Sequence, residues 1–154
     1  MKQVFVFFVF LSITIYGWEW KDIKEFMSYE ETLPILGMPL SISPISNKDG
    51  NFVFDRVYAK YIYKGYEIVI TFFRSHPSGY DSEKLFKVIA LSITEYEKKI
   101  IQNDIYVEFG KPEKVGRHIE LGLREEFENG AIVDYEKDGI TVSRIKFGDS
   151  AHIH

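Results

Sequence analysis

Residue pairs typical of tight turns separate the runs of strand-forming residues in this chain. Asn129-Gly130 and Asp138-Gly139 each lie between such runs, and Lys64-Gly65 joins residues 52–63 to residues 66–73. A two-residue hairpin loop needs positive φ angles, which Asn, Asp and Gly adopt at little cost. The pattern predicts two antiparallel meanders of three strands. The first ends with residues 85–93, and the second covers residues 121–147.

A helical stretch is expected before the first meander. It begins near Lys21, and the capping box Ser28-x-x-Glu31 starts a second short turn, because Pro34 would break one continuous helix. The stretch ends at Gly37-Met38-Pro39, where a left-handed stop precedes a residue that cannot continue a helix. Residues 41–50, rich in Ser, Pro, Asn and Gly, predict a loop.

A second helix is expected before the second meander. Thr94-x-x-Glu97 forms another capping box, and the apolar residues Ile101, Ile105 and Phe109 recur at every fourth position. Gly110-Lys111-Pro112 repeats the earlier stop. The repeated order predicts an α+β fold of two tandem units, each a helical segment followed by a three-stranded antiparallel meander, with the sheet packed against the helices. The units are residues 18–93 and 94–148, and residues 149–154 form a C-terminal tail.

Two tandem units with this Gly-x-Pro stop resemble the beta-lactamase inhibitory protein-like fold. The single-unit relatives of that fold are SmpA/OmlA-type lipoproteins of the outer-membrane assembly machine. The resemblance covers about residues 20–148. It implies a non-catalytic protein that presents a sheet face or loops to another protein.

The first seventeen residues are typical of a signal peptide. Lys2 precedes the apolar run 4–15, and Tyr16-Gly17 supplies a small residue for cleavage after Gly17. Uncharged residues extend only from 3 to 18, at or below the length that spans a bilayer. A buried β-strand is the alternative interpretation. Export to the periplasm or the medium is expected, with no stable membrane span after cleavage.

Charge and composition exclude several functions. The net charge of −4 offers no basic surface for nucleic acid. With no cysteine, the chain has no disulfide, thiolate metal site, lipid-anchoring cysteine or cysteine nucleophile. No cofactor is predicted.

Tyrosines on adjacent predicted strands are the first candidate site. Alternation places Val57, Ala59, Tyr61 and Tyr63 on one face of a strand and Tyr58, Lys60, Ile62 and Lys64 on the other. Tyrosine is enriched at binding hot spots, so one hypothesis is a partner-binding sheet face. Ordinary cross-strand aromatic packing is the alternative. The candidate partner-binding residues, two of them in the following loop, are Tyr58, Tyr61, Tyr63, Tyr66, His76 and Tyr80.

Other polar clusters carry weaker signals. Residues 75–82 contain Ser, His and Asp, but neighbours on a turn rarely form a nucleophilic triad, and no Gly-x-Ser-x-Gly motif is present. A protruding loop that inserts into a partner is expected instead. His152 and His154 provide two imidazoles on a chain end, and the acidic run 125–138 lacks a calcium-loop pattern. No catalytic or metal site is predicted.

The sequence therefore favours an exported, non-catalytic protein-binding module of the inhibitor, immunity or envelope-assembly accessory type. The alternative is a carrier of a small apolar ligand, in which the two meanders enclose a cavity lined by Tyr and Phe. A small hydrolase is the third hypothesis.

Overall fold

The computed structural model describes residues 17–118 and 122–148, of which 54% lie in strands and 15% in helices. The predicted signal peptide, except Gly17, and the C-terminal tail lie outside the described residues. In chain order the elements are β1 (Glu19–Trp20), β2 (Ile23–Lys24), α1 (Tyr29–Leu36), β3 (Ser41–Asp49), β4 (Phe52–Tyr63), β5 (Tyr66–Pro77), a 3-10 turn (Glu83–Leu85), β6 (Lys87–Tyr96), α2 (Gln102–Phe109), β7 (Lys114–His118), β8 (Gly122–Glu126), β9 (Ala131–Tyr135) and β10 (Val142–Phe147).

Eight of the strands form one antiparallel sheet. Their order is β3-β4-β5-β6-β10-β9-β8-β7, and β1 pairs with β2 in a separate small hairpin. Strand β10 joins the two halves through its pairing with β6, where Phe147 lies opposite Leu91. The predicted α+β fold of two helix-plus-meander units is therefore wrong. The protein is mostly β, with two eight-residue helices beside one continuous sheet.

Residues 41–50 account for part of this difference. They were predicted to be a loop, but Ser41–Asp49 pairs with β4 along its whole length. All nine residues are exposed, so the strand lacks the buried apolar alternation that identifies a strand in a sequence. Pro44 is tolerated because β3 lies at the edge of the sheet, where a missing N–H donor costs little.

The predicted helix near Lys21 is also wrong. Trp20 and Ile23 pair directly across a two-residue turn, and Lys21 has a φ of 54°. Residues three apart share a face in a helix, but they also face each other across such a turn. The apolar spacing alone therefore does not separate the two structures.

Local signals at the helix ends were more reliable. Ser28 and Glu31 form the predicted capping box, and the helices end before Gly37 and Gly110 as expected. The predicted box at residues 94–97 is wrong, because β6 continues to Tyr96 in pairing with β5. The second helix starts instead where Asp104 accepts a hydrogen bond from the backbone N–H of Ile101.

The core lies against one face of the sheet, which we call the covered face. The hairpin β1–β2, α1 and α2 pack there, for example through Trp20 against Tyr63, Tyr29 against Phe72 and Phe109 against Phe147. Among the described residues, no helix or hairpin packs on the opposite face. No helix in this part of the chain is long and apolar enough to cross a membrane.

Candidate protein-binding site on the open face of the sheet

The face opposite the core, which we call the open face, is defined by the alternation along β4. Ala59, Tyr61 and Tyr63 are buried in the core, whereas Tyr58 and Ile62 point the other way and stay partly or fully exposed. The predicted division of this strand into two faces is thus confirmed.

The structure distributes the predicted tyrosines between the two faces. Tyr61 is 1% exposed and Tyr63 is 8% exposed, so neither side chain is available to a partner. Tyr66 also lies on the covered face, with its ring centroid 5.5 Å from that of Trp20. Tyr58 alone of these four lies on the open face. Tyr80 is exposed in the loop after β5.

A groove of about 430 Å³ runs over the first half of the open face. Ile45, Arg56 and Phe73 lie side by side on β3, β4 and β5, Asn47 lies beside Phe54, and Asp49 lies near the turn between β3 and β4. Its lining residues are Ile45, Asn47, Asp49, Phe54, Arg56, Tyr58 and Phe73.

Sequence reasoning included only Tyr58 from this groove. The alternation of β4 also places Arg56 and Phe54, two and four residues before Tyr58, on the same face. The contribution of β3 was hidden by its assignment to a loop.

The other half of the open face carries a row of charges. Asp134 on β9 is 0% exposed and accepts hydrogen bonds from Arg124 on β8 and Arg144 on β10, the shortest at 2.6 and 2.8 Å. Burial alone would raise the pKa of Asp134, but hydrogen bonds and charge from both arginines outweigh burial and lower it. The shared aspartate holds both guanidinium groups in place, side by side across three strands.

His76 belongs to a separate cluster on the covered side of the sheet. It is 6% exposed, with Nε2 2.9 Å from Asp55 Oδ2 and Nδ1 3.0 Å from the carbonyl oxygen of Pro77. Both ring nitrogens lie within hydrogen-bonding distance of an oxygen atom, so the ring is held in place from two sides. Ser46 Oγ donates to Asp55 and not to His76, so the geometry is not that of a nucleophilic triad.

The same cluster fastens the loop that was expected to protrude. Arg74 donates to Asp55 at 2.6 Å, to Asp81 at 2.5 Å and to the carbonyl oxygen of Ser82 at 3.0 Å, and its guanidinium lies over the Phe86 ring. Tyr80 directly precedes Asp81, so the loop is tied to the sheet immediately after this residue.

The Asp55 cluster predicts a specific acid sensitivity. Burial by itself would raise the pKa of Asp55, but hydrogen bonds from Ser46, His76 and Arg74, together with the Arg74 charge, lower it from 3.8 to about 2. A depressed carboxyl pKa stabilises the folded state above pH 3.8, and this contribution is lost as the pH falls towards 2.

We therefore expect the wild type to have a higher unfolding free energy than Asp55→Asn, and we expect this difference to shrink as the pH falls from 4 to 2. Urea unfolding followed by circular dichroism at each pH measures this difference. A difference independent of pH over that interval would contradict the assigned ion pairs.

The acidic run 125–138 is divided between the two faces. Glu125 is 2% exposed on the covered face and accepts hydrogen bonds from Tyr106 and Tyr135, both at 2.6 Å, and from Gln102 at 3.0 Å. Burial and the Glu125 carboxylate raise the pKa of Tyr106 to about 12, so its hydroxyl stays protonated as a donor.

Within the described ranges, no three His, Cys, Asp or Glu side chains come together as metal ligands. His152 and His154 lie outside the described residues.

A comparison of the chain with protein families, curated proteins and solved structures finds no match. The resemblance to the beta-lactamase inhibitory protein-like fold therefore stays a prediction that these comparisons do not test.

Proposed function

We propose that this chain is an exported, non-catalytic protein-binding module that uses the open face of its sheet. The observation that carries the proposal is the groove over β3, β4 and β5, which presents aromatic side chains on a face that no described element covers. The predicted signal peptide supports export, and inhibitor, immunity and envelope-assembly accessory proteins are the classes considered.

The exposed apolar surface supports this function physically. Ile45 and Phe52 are each half exposed on the open face, beside the partly exposed rings of Phe54 and Tyr58. Contiguous apolar patches of this kind mark interaction surfaces, because leaving them in water is unfavourable. Aromatic residues and arginines, which dominate binding hot spots, are both present in the groove.

The carrier hypothesis required the two meanders to face each other across a cavity. They lie side by side in one sheet, so they do not enclose a space between them. The groove is open to solvent along its length, and this geometry favours a protein surface over an engulfed small ligand.

Affinity capture with paired variants tests the proposal. The full chain, immobilised, is exposed to the envelope and secreted fractions of its own organism. We expect a retained protein whose dissociation constant rises at least ten-fold with the double substitution Phe54→Ala and Tyr58→Ala. Truncating two hot-spot aromatic residues commonly costs this much or more.

Met38→Ala is the matched control, because Met38 is 77% exposed but lies outside the sheet, between α1 and β3. Capture should be unchanged by it. If the wild type retains no protein, or the double variant retains the same protein equally well, the open face is not the binding site.

A further inference from the structure

Arg56 is partly buried and lies in the middle of the groove. Phe54 and Tyr58 flank it on β4, and Ile45 and Phe73 lie opposite it on the neighbouring strands. Among the described residues, Arg56 has no hydrogen-bond, ion-pair or ring partner. By contrast, Arg74, Arg124 and Arg144 each bind a carboxylate of the chain itself.

The acidic residue at the end of the groove does not neutralise Arg56. Asp49 pairs with Phe52, whereas Ile45 is the residue of β3 that pairs with Arg56. Four residues along a strand span about 13 Å, at 3.3 Å per residue, so the two charges are too far apart for direct contact. The guanidinium therefore keeps its five N–H donors available among apolar neighbours.

We propose that Arg56 binds a carboxylate of the partner protein, while an apolar side chain next to that carboxylate packs against Phe54, Tyr58 and Phe73. This inference rests on the proposed function and specifies its partner as an acidic protein surface. The planar guanidinium and a carboxylate match in a two-bond geometry, and the aromatic walls exclude water from the pair. Water exclusion strengthens the pair relative to one on an open surface.

The second half of the open face also favours a partner with an acidic surface. Arg124 lies on β8, five strand spacings from β4, or about 24 Å at 4.8 Å per strand. In the described structure, Nη1 of Arg124 and of Arg144 makes no hydrogen bond. A partner that reaches from Arg56 to these groups has the width of a folded protein surface, since a typical interface covers about 800 Å² on each side.

A protein carboxylate fits this face better than a polynucleotide does. Glu67, Glu126 and Asp134 are interspersed with the basic residues of the open face, and the chain carries a net charge of −4. A run of phosphates would meet these carboxylates, whereas a few separate carboxylates on a folded partner avoid them.

Two substitutions at Arg56 separate charge from packing. For the protein retained by the wild type, Arg56→Met should raise the dissociation constant at least ten-fold and weaken its dependence on salt. It keeps the length and apolar character of the stem, so thermal unfolding should be unchanged or shifted upward. Lys98→Gln is the matched control, because it also removes one positive charge, from an exposed side chain outside the sheet.

Arg56→Lys supplies a direct chemical readout. A water-soluble carbodiimide joins amines to carboxylates in direct contact, and it does not couple a guanidinium in this way. Treating the complex of the R56K variant with the carbodiimide should create a new cross-link between position 56 and an Asp or Glu of the partner, located by mass spectrometry. Wild-type protein should give no cross-link at that position.

The outcomes distinguish this inference from the proposed function. Equal affinity of the wild type and Arg56→Met, the absence of the position-56 cross-link, or capture abolished by nuclease treatment would overturn the carboxylate assignment. If one of these results is found and the variant with Phe54→Ala and Tyr58→Ala still loses the partner, the proposed function stands without the carboxylate assignment. If the wild type retains nothing, both fail together.

Discussion

Replacing Gly148 with alanine should destabilise the protein by about 3 kcal/mol or more. Gly148 follows β10 with a φ of +72°, and a Cβ there would lie 2.2 Å from the carbonyl oxygen of Ile89 and 3.2 Å from the Cα of Ala90. Both atoms belong to the backbone of β6, a central strand that cannot move without disturbing its pairing. The same Cβ would lie 2.8 Å from Nε1 of Trp18, which is buried in the core.

Gly139 provides a control with the same backbone conformation. Its φ is +70°, but no atom lies within 4 Å of a Cβ built there. Gly139→Ala should lower the unfolding free energy only by the cost of holding an alanine in the left-handed conformation, about 1 kcal/mol. Urea unfolding of both variants measures the difference, which isolates the steric conflict with β6. Equal losses in the two variants would show that the end of β10 does not pack against β6 as described.

Replacing Glu125 with alanine should cost about 3–5 kcal/mol of unfolding free energy. The substitution leaves the hydroxyls of Tyr106 and Tyr135 without their acceptor and opens a void between α2 and β8. Small domains have unfolding free energies of only about 5–15 kcal/mol, so the substitution removes a large part of the stability of the folded protein. Thermal and urea unfolding of the variant measure the change.

Two comparisons identify the cause. Glu126→Ala alters the next residue, whose side chain lies on the open face and pairs with Lys114, so the loss there should stay within about 0.5 kcal/mol. Combining Glu125→Leu with Tyr106→Phe and Tyr135→Phe removes the carboxylate and both hydroxyls, leaves only the partly exposed Gln102 of the cluster, and should restore most of the stability. If the triple variant is as unstable as Glu125→Ala, neither the void nor the unpaired hydroxyls explain the loss.

Several predictions from short-range stereochemistry agreed with the structure, although the capping box at residues 94–97 did not. The turn at Lys64-Gly65, the capping box of Ser28 and Glu31 and the stops at Gly37 and Gly110 each depend on a few consecutive residues. Failures occurred where a neighbouring strand decided the conformation. The polar segment 41–49 is a strand because β4 supplies hydrogen bonds along its whole length, and its composition does not show this.

The candidate site shows the same limit. Alternation placed Tyr58 and Tyr61 on opposite faces of β4, but it did not say which face the helices cover. Tyr61 and Tyr63 were predicted to bind a partner for the same reason as Tyr58, yet both are core residues. Alternation also places Arg56 on the same face as Tyr58, but its lack of a partner among the described residues is visible only once the neighbouring strands are in place.

The sequence by itself determined the turns, the helix ends and the two-faced character of β4, because these follow from backbone preferences and a side-chain period of two. Tertiary structure alone decided that both halves form one sheet and that no element of the described residues covers one of its faces. Those features depend on pairing between distant residues, such as Leu91 with Phe147, and on where α1, α2 and the β1–β2 hairpin pack. Local propensities do not encode contacts over such separations in the chain.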